Sequence, residues 1–225
     1  MTAAASELPG LTPGQRALAL GVCAASFAAL YVTSGAIDND HFVIYSRAMQ
    51  VVGGDWPVRD FEDPGMPLAY LSQAVVAWSV GSSLLVNVVF QTALLAVTAA
   101  LTFALAVRAC QHTWFALALT ALTVIAAPRL YNASKVLVPI VATWLAWAYA
   151  ARPSSSRAAG LGLWAAVAFL VRYDYVVYVL SANVALLLAA DPGTTGARRA
   201  ALCVGMAAIA VARLSISASR ARSIV

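Results

Sequence analysis

The stretch LLVNVVFQTALLAVTAALTFALAV, residues 84–107, decides the fold. It carries no charged side chain over 24 residues, more than the roughly 20 apolar residues that an α-helix needs to cross a bilayer. Further apolar runs occur at 17–37, 114–128, 136–151, 158–171, 175–190 and 200–212. Because lipid-exposed backbone must satisfy its own hydrogen bonds, each run is predicted to be helical. The sequence therefore predicts an all-α, polytopic transmembrane helix bundle of about seven spans.

The composition of the whole chain supports a membrane protein. Apolar residues make up 62% and charged residues 10% of the sequence, whereas soluble domains average about 45–50% and about 25%. A soluble fold of this size could not hide so much apolar surface, so the excess must face lipid. The net charge of +5 comes from arginines that lie between apolar runs. This pattern is typical of membrane topology, and we expect membrane lipids but no nucleic acid as partners.

Charge placement predicts the orientation of the helices. A shorter run, residues 66–80, begins at a proline-rich segment and is interpreted as a juxtamembrane helix that does not cross. The inner side then carries six arginines, five of which would move outside if residues 66–80 crossed, so the positive-inside rule favours this arrangement although Arg129, Lys135 and Arg172 fall outside. The six inner arginines are Arg16, Arg108, Arg152, Arg157, Arg198 and Arg199. The predicted protein is multi-pass in the cell membrane, with a cytoplasmic N-terminus and the loop 38–83 outside.

The two ends of the chain bound the predicted bundle. Residues 1–16 form an inner N-terminal tail, residues 17–212 the bundle with its outer loop, and residues 213–225 an irregular tail. The first run, 17–37, resembles a cleaved signal peptide in part, but it is long enough to span and more spans follow. The irregular tail, with three further arginines on the outer side, leads us to expect a truncated or frame-shifted chain.

The first half of the outer loop is predicted to be a surface helix. Apolar residues recur there at spacings of three and four, which gives one apolar face. Asp38 or Asn39 can cap this helix, and the glycine pair 53–54 can end it. The apolar face consists of Phe42, Tyr45, Met49 and Val52.

Asp38 and Asp40 stand where the first span leaves the bilayer. A carboxylate at that depth can act as a general base on an acceptor hydroxyl, or can hold a divalent metal with a second carboxylate. The alternative is that Asp38 only caps the helix and Asp40 is a solvated charge.

The loop as a whole resembles the GT-C superfamily of membrane glycosyltransferases. The likeness is closest to bacterial members akin to protein mannosyltransferases and lipid A aminoarabinose transferases. It consists of an acidic pair after the first span, an aromatic and an alanine in the next helix, Asp-Phe, and prolines before an apolar helix. The matching residues are Asp38, Asp40, Tyr45, Arg47, Ala48, Gly53, Pro57, Asp60, Phe61, Pro64, Pro67 and Tyr70.

The resemblance implies a reaction and its partners. Such enzymes pass a sugar from a polyprenyl-phosphate-linked donor to a lipid, glycan or protein acceptor at the outer membrane face. The role of base falls on Asp40 or Asp38, with Asp40 preferred, and Asp60 is assigned to substrate binding. His41 stands where many relatives have glutamate, so the paired carboxylates are incomplete. No certain cofactor is predicted, and a divalent metal stays an alternative.

Two further outer clusters are candidate substrate-binding residues. Arg172, Asp174 and Tyr175 stand between two apolar runs, where Arg172 could pair with a lipid phosphate. The alternative is an ion pair within the aromatic belt. Arg129 and Lys135 form the other patch, for either phosphate binding or interfacial anchoring.

The competing function is a non-catalytic multi-span protein, a transporter or an assembly subunit. A transporter should show broken helices and polar groups near the bilayer midplane. The predicted spans contain few polar residues, chiefly Asn87, Gln91 and Asn183. Relatives with the GT-C pattern have more spans, so the sequence predicts a glycosyltransferase in an incomplete, N-terminal copy.

Overall fold

The computed structural model describes residues 10–33, 39–57, 59–63, 65–126 and 129–190, with residues 39, 40 and 188–190 described by their backbone alone. These residues form α-helices and a short 3₁₀ turn, and no strand occurs among them. The helices are α1 (Pro13–Thr33), α2 (Asn39–Val52), α3 (Pro67–Val80), α4 (Leu84–Cys110), α5 (Thr113–Ile125), α6 (Ser134–Ala151), α7 (Ser155–Val171) and α8 (Tyr175–Ala190), and the 3₁₀ turn is Leu130–Asn132. The all-helical prediction is therefore confirmed for the described residues.

Three segments of the described chain are long and apolar enough to cross a membrane. They are α1 with 21 residues, α4 with 27, and Leu130–Ala151 with 22, which joins the 3₁₀ turn to α6. The apolar helices Thr113–Ile125, Ser155–Val171 and Tyr175–Leu187 are shorter. By length and composition the chain is a membrane protein. The predicted run 200–212 and the tail 213–225 lie outside the described residues.

The first helix begins earlier than its apolar run. Thr12 and Gln15 form a reciprocal capping box, in which each side chain accepts a hydrogen bond from the other residue's backbone N–H at 3.2 and 3.0 Å. Pro13 occupies the first helical position, where its missing N–H costs nothing. The helix therefore starts at Pro13, four residues before the hydrophobic run at 17.

The most buried helix is α4, which contains the uncharged stretch 84–107. Fourteen of its residues are buried, against one of α1, so α4 packs on several sides whereas α1 does not. Ser83 caps its start by accepting a hydrogen bond from the Val86 N–H at 3.2 Å. Its end is closed by Gln111, in the left-handed conformation, whose N–H donates to the Val107 carbonyl.

Contacts divide the described chain into two compact units. The long-helix unit comprises residues 10–49 and 73–141, and the loop unit comprises residues 50–72 and 142–190.

In the long-helix unit, α1 and α4 run antiparallel. Leu18 and Val22, in the first half of α1, pack near Phe103, towards the end of α4. Leu30, near the end of α1, lines an apolar crevice with Leu95, in the first half of α4. The end of α1 and the start of α4 therefore lie at the same end of the pair.

In the loop unit, α7 packs against α8. Their core contains Leu161 and Leu187, together with Tyr149 of α6. The amide of Asn183 donates to the Leu161 carbonyl at 3.2 Å, so the buried polar side chain of α8 is satisfied by α7. Arg157 donates to the carbonyl oxygens of Ala148 and Arg152 at 2.7 and 2.9 Å, which satisfies the end of α6.

Candidate functional site

The loop between α2 and α3, which we call the acidic loop, contains a tight turn closed by Asp60. Its carboxylate accepts a hydrogen bond from the Trp56 N–H at 2.7 Å, and its own N–H donates to the Trp56 carbonyl at 3.0 Å. Arg59 Nε lies 2.9 and 2.8 Å from the two carboxylate oxygens. The Arg59 hydrogen bond, and then the one from Trp56, hold the pKa of Asp60 below its ordinary value. The Asp60 charge is thus engaged within the loop.

Phe61 anchors the same loop to the start of α3. Its ring is 9% exposed and meets the fully buried ring of Tyr70 edge to face, with centroids 6.1 Å apart. Such aromatic pairs add about 0.5–1.5 kcal/mol beyond the area that they bury. The Asp-Phe pair of the sequence motif therefore has two structural roles: Asp60 closes a turn, and Phe61 holds that turn on the helix.

Asp63 shapes the segment that leads into α3. One of its carboxylate oxygens accepts hydrogen bonds from the backbone N–H groups of Gly65 and Met66, both at 2.8 Å. This is a side-chain turn of the kind that aspartate commonly forms. It places Gly65 at a φ of +96°, where glycine is favoured because it has no Cβ.

Gly65 makes the contact between the loop and the turn that joins α7 to α8. The Tyr173 N–H donates to the Gly65 carbonyl at 3.1 Å. A Cβ on Gly65 would overlap the Tyr173 ring and would lie 3.2 Å from its Cγ. We call this hydrogen bond, together with the packing of the ring on Gly65, the docking contact. It joins the acidic loop to the segment that carries Arg172.

Arg172 and Asp174 flank the docking contact. Arg172 Nε lies 2.9 Å from Asp174 Oδ1, and the side chains are 37% and 36% exposed. The contact is an ion pair without hydrogen-bond geometry, because this oxygen accepts no hydrogen bond from the described residues. The guanidinium carbon also lies 5.7 Å from the centre of the Tyr175 ring, within cation–π distance. The three predicted residues of this cluster thus contact one another.

The remaining predicted residues lie in the long-helix unit or outside the described chain. Asp38 lies outside the described residues, and Asp40 occupies the second position of α2, with only its backbone described. Arg129 is exposed just before the 3₁₀ turn, and Lys135 is exposed at the second position of α6. The loop unit thus contains Asp60, Arg172, Asp174 and Tyr175, and the long-helix unit contains Asp40, Arg129 and Lys135.

The sequence did not predict the contact between Gly65 and the Tyr173 ring. The segment 63–65, Asp-Pro-Gly, signals a turn, but no local pattern identifies its partner far along the chain. The sequence also did not reveal that the Asp63 carboxylate would accept hydrogen bonds from neighbouring backbone N–H groups.

The sequence did not decide whether the protein binds a divalent metal ion. Across the ranges that the structure describes, no three His, Cys, Asp or Glu side chains group closely enough to hold a metal ion. Asp38 and the side chain of Asp40 fall outside that comparison. No protein-family model, curated protein or solved structure matches this chain.

Proposed function

We propose that the chain is a GT-C-type membrane glycosyltransferase, or the N-terminal part of one, that transfers a sugar from a polyprenyl-phosphate donor to an acceptor at the outer face. The observation that carries the proposal is the docking contact between Gly65 and Tyr173. It joins the acidic loop to a half-exposed arginine at one end of two apolar helices. A cation at that position suits a lipid-linked phosphate, whose head group lies at the membrane boundary.

The proposed topology has about seven spans, a cytoplasmic N-terminus and the loop 38–83 outside. The antiparallel packing of α1 and α4 supports it, because the loop then begins and ends on one side. In this arrangement α3 is a juxtamembrane helix, and among the described residues it is neither one of the span-length segments nor one of the shorter apolar helices.

In the proposed step, Asp40 accepts the proton of an acceptor hydroxyl. The resulting oxygen attacks the anomeric carbon of the sugar, and the bond from that carbon to the phosphate oxygen breaks. The polyprenyl phosphate leaves with the electron pair and gains negative charge. Arg172, in the loop unit, is assigned to the donor phosphate on its chemistry, since its planar fork matches phosphate oxygens. Asp174 and Tyr175 orient Arg172 by the ion pair and the cation–π contact.

The test compares Asp40→Asn with Glu62→Gln in the full chain. Glu62 is an exposed carboxylate of the same loop that the mechanism does not use, so it controls for loss of charge. Transfer of hexose or pentose from polyprenyl-phosphate donors is measured in membrane vesicles. Asp40→Asn is expected to lower the rate by about 10²–10⁴-fold, the usual contribution of a general base, and Glu62→Gln to leave it unchanged. Undiminished transfer in Asp40→Asn removes Asp40 from the catalytic role.

The alternative, a transporter or assembly subunit, has less support. Thr98 and Thr102 are buried polar residues of α4, and both hydroxyls donate to carbonyl oxygens four residues earlier in the same helix. They therefore serve the backbone of their own helix instead of offering donors to a solute.

A further inference from the structure

Arg172 is held by two neighbours in the chain. Its Nε faces Asp174 and its guanidinium carbon lies over the Tyr175 ring, while 37% of its side chain stays exposed. These contacts engage Nε and the face of the guanidinium, and no hydrogen bond from its two terminal nitrogens occurs among the described residues. An arginine restrained in this way loses less freedom when it binds an anion.

The backbone on which this geometry depends is that of the turn 172–174. Arg172 ends α7 with its N–H on the Ala168 carbonyl at 2.9 Å, and its own carbonyl accepts from the Tyr175 N–H at 3.0 Å. Tyr173 stands between the two members of the ion pair, and its N–H is bound by Gly65. A shift of Tyr173 therefore moves Arg172 and Asp174 relative to each other.

Gly65 allows that contact for two independent reasons. Its φ of +96° is one that L side chains rarely adopt, and the space where a Cβ would stand is filled by the Tyr173 ring. Gly54, in the same unit, allows the effect of φ to be tested without the steric overlap. Its φ is +105°, but no atom lies within 4 Å of the position that a Cβ would take. The two glycines thus form a control pair with similar φ, and only at Gly65 is the space for a Cβ filled by a neighbour.

We propose that Gly65 and Tyr173 are positioning residues for an anion site at Arg172. Docking of the loop on the turn sets the orientation in which Arg172 binds a phosphate monoester. This inference rests on the proposed function for the role of Arg172, and it adds that the acidic loop controls the affinity of that residue through a contact outside the ion pair.

The experiment measures binding of farnesyl phosphate to the full chain in phosphatidylcholine nanodiscs, with farnesol and inorganic phosphate as comparison probes. Farnesol lacks the phosphate and inorganic phosphate lacks the chain, so the probes distinguish lipid-linked from free phosphate. Gly65→Ala is expected to weaken farnesyl phosphate binding about tenfold, as for the loss of one charge-assisted hydrogen bond. Gly54→Ala is expected to bind as the unmodified chain does.

The second-site variant is Tyr173→Ala, which removes the ring but keeps the backbone N–H that bonds Gly65. Added to Gly65→Ala, it is expected to restore most of the lost affinity, because the overlap disappears. Because relief of the overlap would also rescue a destabilised fold, the free energy of unfolding of each variant is measured beside its affinity. Equal binding by Gly65→Ala and Gly54→Ala, or no recovery in the double variant, overturns the inference.

Arg172→Gln separates the inference from the proposed function. If it binds farnesyl phosphate as tightly as the unmodified chain, the role of Arg172 in the proposed function fails. If it loses binding while Gly65→Ala does not, only the inference fails. Should Gly65→Ala not fold, hydrogen exchange on the unmodified chain gives the same answer. Coupling is reciprocal, so farnesyl phosphate must slow exchange of the Tyr173 amide, and unchanged exchange refutes the coupling.

Discussion

The buried amide pair of Gln73 and Asn87 allows a prediction whose sign depends on which partner is removed. The side chains lie on α3 and α4, are 4% and 6% exposed, and join by a hydrogen bond from Asn87 Nδ2 to Gln73 Oε1. Among the described residues, the other amide atom of Asn87, Oδ1, is buried without a hydrogen bond. The pair thus contains one satisfied contact and one unsatisfied acceptor.

The expected magnitudes follow from what each substitution leaves behind. Gln73→Leu leaves both polar atoms of Asn87 buried and unpaired, which we expect to cost about 2 kcal/mol. Asn87→Leu strands only Gln73 Oε1 and also removes the unsatisfied Oδ1, so its cost should be nearer 1 kcal/mol, the scale of one interhelical hydrogen bond in a membrane protein. The double variant strands nothing and is expected to lie within about 0.5 kcal/mol of the unmodified chain.

The assay is reversible unfolding of the full chain by sodium dodecyl sulfate in dodecyl maltoside micelles, followed by circular dichroism. Thr92→Val is the control, because its buried hydroxyl bonds within its own helix to the Val88 carbonyl at 2.8 Å. It should change the free energy of unfolding less than Gln73→Leu does. If the two leucine substitutions cost the same and add in the double variant, the two side chains are not coupled and the argument is refuted.

Three further predictions test the loop and one helix start. Phe61→Ala removes a buried ring and should destabilise the loop by about 3 kcal/mol, seen as faster proteolysis within 53–63, and an unchanged cleavage rate would count against the anchor. Because the pKa of Asp60 is lowered in the folded loop, its turn should be intact above the ordinary carboxyl pKa and should open as the pH falls through the lowered one. Amide exchange at Trp56 reports this opening, and in Asp60→Asn it should lose that pH dependence. His112 caps α5 through Nδ1, which accepts a first-turn N–H at 3.2 Å, so His112→Ala should cost about 1 kcal/mol and His112→Asp should not. Equal unfolding free energies for the two His112 variants would contradict the cap.

The surface helix α2 shows which features of a helix its apolar spacing can predict. The sequence predicted a helix that ends at the glycine pair 53–54, and α2 does end at Val52, with the Gly54 N–H bonded to the Val51 carbonyl at 3.1 Å. The predicted apolar face included Phe42, yet that side chain is 46% exposed, whereas Ile44 and Ala48 are buried. A helix rich in apolar residues offers two overlapping faces, and the residues that pack within the chain lie on the one that the spacing argument did not select.

The candidate site contains both contacts between neighbours in the sequence and contacts between distant residues, and the sequence predicts only the first kind. Contacts within Arg172–Tyr175 join neighbours in sequence, and the ion pair among them is one of the two alternatives that the sequence predicts for this cluster. The docking contact joins Gly65 to Tyr173, and no local propensity encodes that pairing. It depends on a three-dimensional arrangement that only the folded chain specifies.

Two carboxylates of the acidic loop, Asp60 and Asp63, have structural roles, and this bears on which residue can act as the base. Asp60 is engaged by Arg59 and Trp56, and an oxygen of Asp63 is engaged by two backbone N–H groups. Asp60 is a poor base, because the hydrogen bonds from Arg59 and Trp56 to its charged form hold its pKa below the ordinary value. Asp60 is therefore unsuitable as the base, and the proposal keeps Asp40 in that role. The loop carboxylates instead build the turns that present Gly65 to Tyr173, so their contribution to the proposed reaction is to position Arg172.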